Sequence, residues 1–247
     1  MKISVCIASY NGAKFIETQL GSILEQISAN DEIVIVDDNS IDNTVEIIKS
    51  LSDSRIKVEV NERNIGFVKT FEKALSLTSG DIIFLSDQDD VWLKHKVNTI
   101  INIFLTDHVD MVVHNAIVSD GNREIIRSQL FNDMYSNNFI VRHFIKNRHM
   151  GCCMAFKKEV VSKIIPIPFC TKTHDQWIGF ICDIYKFRIR YIDDKLIIWI
   201  RHSTNASSLT RRTIYRVFDT RLSLIGGIIV HCFCRLLKYI INGYKNM

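Results

Sequence analysis

The first hundred residues switch regularly between two hydrophobic periods. Short apolar runs at Lys2–Ser9, Glu32–Val36, Ile56–Val60 and Ile82–Leu85 read as buried strands. Between them the apolar residues recur at helical spacing. Phe15, Ile16, Leu20, Ile23, Leu24 and Ile27 follow the first run. A helix capped by Asp42 or Ser40 and reaching about Leu51 follows the second. Helices over Phe67–Leu77 and from about Trp92 to Leu105 follow the third and fourth. This alternation restricts the chain to an α/β fold: a parallel sheet with crossover helices, which binds ligands at the carboxyl ends of its strands.

Those ends carry polar residues in every case: Ser9 and Asn11, then Asp37, Asp38 and Ser40, then Asn64 and Gly66, then Asp87, Asp89 and Asp90. On one sheet edge they are expected to converge on one cleft. The fourth end is the most telling. Three carboxylates within Asp87–Asp90 repel one another and desolvate poorly, so packing does not select them. A divalent cation does, and hard oxygen donors suit Mn²⁺ or Mg²⁺ carrying substrate phosphates. The competing reading is a solvated acidic loop or a helix cap. Neither G-x-G-x-x-G nor a Walker A sequence occurs, so such a cleft would hold a nucleotide without a familiar glycine loop.

After Asp107 the rhythm changes. Val109–Val118 reads as a strand, Gly121-Asn122 as a turn, and Arg123–Leu130 as a segment pairing back. Residues 131–149 give no assignable pattern. Gly151–Phe156 reads as a strand, Lys158–Ile165 as a helix, and Thr171–Trp177 as a loop into a short helix ending near Asp183. Arg188–Ile192 and Leu196–Ile200 read as strands, followed by a polar loop from Arg201 to Asn205. The expected organisation is therefore 1–107, 108–207 and a tail, 208–247.

The tail carries the charge asymmetry. Residues 211–247 hold seven arginines and lysines against Asp219, a net of +6 in a chain whose total is +4. A generally basic, nucleic-acid-binding protein is not expected; a local anionic partner is. Leu222–Cys234 is largely apolar and flanked by arginines, short for a membrane span of roughly 20 residues. It suits a basic amphipathic helix on an anionic leaflet, or a helix packed on the domain or a second subunit. The chain enters a strand directly from Met1, so no signal peptide is expected, and seven unpaired-looking cysteines suit a reducing compartment.

Six motifs occur in a telling order: SYNG at 9–12, VDDNS at 36–40, N-x-G at 64–66, SDQDD at 86–90, HDQW at 174–177 and RHSTN at 201–205. Together they resemble the bacterial family 2 glycosyltransferases of the GT-A fold over about residues 1–207. The SDQDDVW and HDQW forms resemble small O-antigen enzymes, some of which add a second sugar to N-acetylglucosamine-diphosphoundecaprenol from a UDP-sugar. The resemblance implies that Asp38, with Asp37 beside it, contacts uracil or ribose and that Ser9 lies near the base. It implies Asp89 as the metal ligand of the D-x-D element; within that cluster Asp87 is expected to reach the ribose, or the metal through water. It implies Asp175 as catalytic base and His202 near the diphosphate or metal. His174 stands where many relatives have Glu, and the Q-x-x-R-W element of processive members is missing.

Read as chemistry, these residues suit sugar transfer. The departing diphosphate needs a metal, the nucleoside needs a remote grip, and the acceptor hydroxyl needs a base. A single base and one in-line attack imply inversion. Each role has a plainer rival. Asp175 and Asp37/Asp38 are also placed to cap helices, His202 to sit in a surface loop, and Asp90 to face the acceptor or cap the helix at Trp92. Trp177 is a core residue or a platform for the acceptor. The overall expectation is an inverting UDP-glucose β-1,3-transferase on the cytoplasmic face of the bacterial inner membrane. A UDP-galactose or dTDP-rhamnose transferase, a metal-dependent phosphotransferase and a non-catalytic nucleotide-binding module are the alternatives.

Overall fold

The structure, a computed structural model, describes residues 1–132, 149–202, 205 and 214–245. Ser203 and Thr204 of the RHSTN motif, and Arg211 and Arg212 of the tail, lie outside the described residues.

Among the described residues, nine strands form one sheet. β1 (Ile3–Ser9), β2 (Glu32–Asp37), β3 (Ile56–Val60) and β4 (Ile82–Ser86) pair in parallel in the order β3-β2-β1-β4. The helices between them are α1 (Ile16–Leu24), α2 (Thr44–Ser50) and α3 (Phe67–Leu77). β2 and β4 are buried at every position, as strands covered on both faces must be, whereas β3 at the sheet edge is not. β1 runs toward β2 on one side and β4 on the other, so the strand order reverses between β1 and β4. A crevice opens at such a reversal, beyond the carboxyl ends of the strands.

The sheet continues from β4 into the second half without a break. β8 (Met154–Lys157) pairs antiparallel with β4 and with β6 (Met111–Asp120). β7 (Ile125–Arg127) pairs antiparallel with β6. β9 (Ile189–Arg201) runs parallel to β6, and β5 (Val91–Trp92) closes the edge on β9. Helix α4 (Lys96–Thr106) follows β5, while α5 (Lys158–Ile164) and α6 (His174–Ile184) separate β8 from β9.

Several elements differ from the sequence reading. The helix expected from Trp92 begins at Lys96, because Val91 and Trp92 are spent on pairing with Ile198 and Ile197. Asp90 therefore caps no helix. Gly151–Cys153 is a single 3₁₀ turn, and the strand starts only at Met154. The two strands expected at 188–200 are one, whose register against β6 shifts twice between Val113 and Ile117. Exposed Asp193-Asp194-Lys195 in its middle hides that continuity from hydropathy alone. Helix α6 begins at His174, so Asp175 lies in its first turn rather than at its cap, Thr173.

The C-terminal helix α7 (Ile214–Lys245) is far longer than the apolar run suggests. One face packs on the body: Leu224 and His231 are buried, and Ser223 Oγ donates to the Cys170 carbonyl at 2.5 Å. Arg235 donates to the Ser162 carbonyl at 2.6 Å, and Lys172 pairs with Asp219. Gly227 lets the helix approach, since a Cβ there would stand 3.2 Å from the Trp177 ring. On the opposite face Phe218, Leu222, Ile225, Ile229 and Phe233 are exposed at spacings of three and four.

Candidate active site

A cavity of about 710 Å³ lies at the β1/β4 reversal. Its first wall is built from strand ends. The Ser9 hydroxyl donates to Asp37 at 2.7 Å, and Asp37 also accepts the backbone N–H of Ser40 at 2.7 Å. Asp38, one residue on, turns toward the cavity and accepts three bonds: from Asn61 at 2.9 Å and from the backbone of Ile65 and Gly66 at 2.8 Å each. Gly66 can enter this turn because its φ of +84° lies where side chains are strained. Asn64 lines the same edge.

The fourth strand end forms the floor. Gln88 is locked by a reciprocal pair: it accepts from the Tyr10 amide at 2.9 Å and donates to the Tyr10 carbonyl at 3.0 Å. Gly12 makes room for it, since a Cβ there would fall 2.3 Å from the Gln88 oxygen. This lock faces Asp87 and Asp89 into the cavity. Asp89 Oδ2 lies 2.9 Å from His202 Nε2 and accepts from Asn205 at 2.8 Å, while the His202 ring stacks on Phe15 at 4.3 Å. Below them Asp90 is buried; Oδ1 accepts the Ile200 N–H at 3.3 Å and Oδ2 has no hydrogen-bond partner among the described residues. Burial pushes the Asp87 carboxyl up to about 7, helped by the charges of Asp89 and Asp175. Burial likewise raises Asp90, with Asp87 and Asp89 adding to it. Lys96, buried beneath against the Cys152 carbonyl at 2.9 Å, is pushed down to about 8 by burial.

The second wall comes from the other half. Gly151, Thr173, His174 and Asp175 line it, with His149, Met150 and Phe131. Asp175 accepts the N–H of Gln176 at 2.6 Å. His174 stacks on Phe71 at 4.1 Å with neither ring nitrogen partnered among the described residues, and burial holds its imidazole below its ordinary pKa. Gly151 is required beside it, because a Cβ would stand 2.6 Å from His174 Nε2. Val217, Thr220 and Arg221 of α7 complete the lining.

Ser9, Asp38, Asn64, Asp87, Asp89 and Asp175 thus meet in one cavity. Asn11, Asp37, Asp90, Trp177 and His202 are not among its lining residues. Asn11 is exposed and ties the β1 end to the next loop by accepting from Ile41 at 2.9 Å. Asp37 is fully buried and consumed by its serines. Trp177 is core: it is fully buried and donates to the Ile164 carbonyl at 3.0 Å, so it offers no platform for an acceptor. The first turn of α6 sends Asp175 and Trp177 to different faces. Gln88, Asn205 and Arg221 were not singled out from sequence. SDQDD and RHSTN contain the first two, but no local pattern marks Arg221.

Do these residues suit a metal? Asp90 Oδ2 is a buried oxygen without a hydrogen-bond partner among the described residues, and Asp87 lacks enough countercharge to ionise readily. Both are what a cation would remedy. Two donor sets exist among the described residues. Asp87, Asp90 and the Cys152 thiol lie within 4.8 Å of one another. Asp89 and His202 lie 2.9 Å apart, a separation that adjacent ligands of one octahedral ion also have. The first set includes a soft thiol, and Asp90 and Cys152 lie behind the wall. The second opens on the cavity through Asp89 and suits a hard ion better.

Comparison with known proteins bears on the whole arrangement. The family model for glycosyl transferase family 2 matches residues 4–165. The chain belongs to that family. It is 29% identical over 260 residues to the Escherichia coli UDP-Glc:alpha-D-GlcNAc-diphosphoundecaprenol beta-1,3-glucosyltransferase WfgD, covering 98% of this chain and 94% of that one. It is 28% identical over 214 residues to an uncharacterized Nostoc glycosyltransferase, covering 83% of this chain and 66% of that one. The S. aureus TarS structure in complex with UDP-GlcNAc superimposes with a TM-score of 0.71 at 20% identity, covering 91% of this chain and 66% of that one. The fold is GT-A, with a C-terminal helix added to its mixed sheet.

Proposed function

We propose that the protein is an inverting, metal-dependent hexosyltransferase. In this reading it moves glucose from UDP-glucose, in β-1,3 linkage, to N-acetylglucosamine-diphosphoundecaprenol during O-antigen assembly. The observation that carries it is the meeting of Asp38, Asp87, Asp89 and Asp175 in one cavity at the strand reversal. The near full-length similarity to WfgD supports the choice of donor and acceptor.

Residues 1–107 form the donor half, 108–207 the acceptor half and 208–247 the membrane-facing tail. Asp38 takes the nucleoside on a carboxylate already fixed by three bonds, so its grip needs little reorganisation. Ser9 and Asn64 border the same subsite. Asp89 and His202 would hold Mn²⁺ or Mg²⁺, with Asp87 beside them, and a cation held there would supply Lewis-acid neutralisation of charge on the departing diphosphate. Asp175 accepts the proton of the acceptor hydroxyl as its oxygen bonds to the anomeric carbon. The bond from that carbon to the β-phosphate oxygen breaks on the opposite side, and its electron pair leaves with UDP. Inversion follows, so an α-linked donor gives a β-product.

A lipid-linked acceptor needs access to a bilayer, and the exposed stripe on α7 supplies an apolar face for one. The 19-residue window Val217–Arg235 is also long and apolar enough to cross a membrane by composition. Its other face is occupied by Trp177, Thr171 and Cys170, which favours lying on the cytoplasmic leaflet. Replacing Ile229 and Phe233 together by Glu should abolish sedimentation with anionic vesicles, and equal sedimentation would remove this part of the reading.

The decisive assay presents UDP-glucose, UDP-galactose and dTDP-rhamnose with a synthetic N-acetylglucosamine-diphospho-lipid and Mn²⁺. Transfer from UDP-glucose alone is the expected result. Transfer from another donor would replace the donor assignment, and no transfer from any would remove the reading.

A further inference from the structure

The described cavity lining contains four carboxylates, Asp38, Asp87, Asp89 and Asp175. Arg221 is the single arginine or lysine among those lining residues. It comes from α7, one residue past Thr220, not from the sheet. By the 3.6-residue period it falls between two faces of that helix. On one side lies the packed face of Leu224, Gly227 and His231; on the other lies the exposed stripe of Phe218, Leu222 and Ile225. Arg221 therefore stands where the cleft meets the outer apolar face.

We propose that Arg221 binds a diphosphate, and specifically the diphosphate that joins the acceptor sugar to its lipid. The assignment rests on the lipid-diphosphate acceptor proposed above. An acceptor whose hydroxyl reaches Asp175 and whose lipid lies in the bilayer must run its diphosphate between the two. That path enters a cavity of carboxylates, which repel it. The donor diphosphate has the cation site at Asp89 for its charge; the acceptor diphosphate needs a second positive group. A guanidinium suits the task because its planar fork bonds two phosphate oxygens at once.

The test uses the full chain, its Arg221→Gln variant and its Arg221→Lys variant, all with matched melting temperatures. Calorimetry measures three probes: N-acetylglucosamine α-diphosphate on a short alkyl chain, the same alkyl glycoside without diphosphate, and UDP with Mn²⁺. Arg221→Gln should weaken the first probe about 10- to 100-fold, the range for a charge-assisted bond. Arg221→Lys should restore part of that loss, and the affinities for the other two probes should hold. Unchanged binding of the first probe overturns the assignment. So does an equal loss for UDP, which would put Arg221 on the donor diphosphate, or a wild-type chain that does not bind the first probe. If the selective loss appears while wild type transfers no sugar to that probe, the diphosphate site stands and the proposed reaction falls.

Discussion

The two walls of the cleft are built on different principles. On the strand-end wall each carboxylate is already occupied: Asp37 by Ser9 and Ser40, Asp38 by Asn61 and two backbone amides. On the opposite wall Asp175 accepts the N–H of its own neighbour, and His174 presents an imidazole with neither nitrogen partnered among the described residues. The first wall is fixed before any ligand arrives. On the second, the His174 imidazole has no hydrogen-bond partner among the described residues. A site that grips an invariant nucleoside and carries out chemistry on a variable sugar would divide its labour this way.

Substitutions should separate the walls. Asp175→Asn keeps the oxygen that accepts from Gln176 but removes the proposed base. Turnover should fall about a hundred- to ten-thousandfold, with UDP binding and melting temperature unchanged. Steady-state kinetics beside UDP calorimetry check this, and undiminished turnover would end the role of Asp175. Asp89→Asn should cost about a hundred- to a thousandfold in rate and shift the Mn²⁺ titration to higher concentration. A rate fall with an unshifted titration would take Asp89 off the metal.

Asp38→Asn strikes the built-in wall, so it should lower both UDP affinity and stability. One backbone N–H of the Ile65-Gly66 turn loses its acceptor, a cost of about 1–3 kcal/mol in denaturant unfolding. If stability holds while UDP binding falls, the wall is less prebuilt than its hydrogen bonds indicate. The smallest effect belongs to His174. Burial lowers its pKa, so the unfolded chain binds more protons below about pH 6.5 and stability falls as the pH drops. His174→Phe should flatten that acid slope. A remainder should persist from His231, which burial and Arg235 also lower. An unchanged slope would mean that His174 is protonated in the folded protein.

The same contrast governs how much of the molecule is legible in the sequence. The parallel half was legible because β2 and β4 are buried throughout and so appear as unbroken apolar runs. Their polar ends marked the strand-end wall of the cleft directly. The second wall was only partly visible. Asp175 stood out through HDQW, but Trp177 two residues later points to the core, which sequence spacing left open until the start of α6 was known. Val91-Trp92 looked helical because two residues of edge strand carry no period of their own. In the sequence Arg221 is one charge of a basic tail. Its place in the cleft depends on the packing of α7 over Gly227 and Trp177, a contact between residues fifty positions apart.

The anomeric configuration of the product tests the account most directly, since a single base and one in-line displacement permit one outcome. NMR of the disaccharide made from α-linked UDP-glucose should show the large H1–H2 coupling of a β-glucoside. A small coupling, indicating retained α configuration, would contradict a one-step displacement assisted by Asp175.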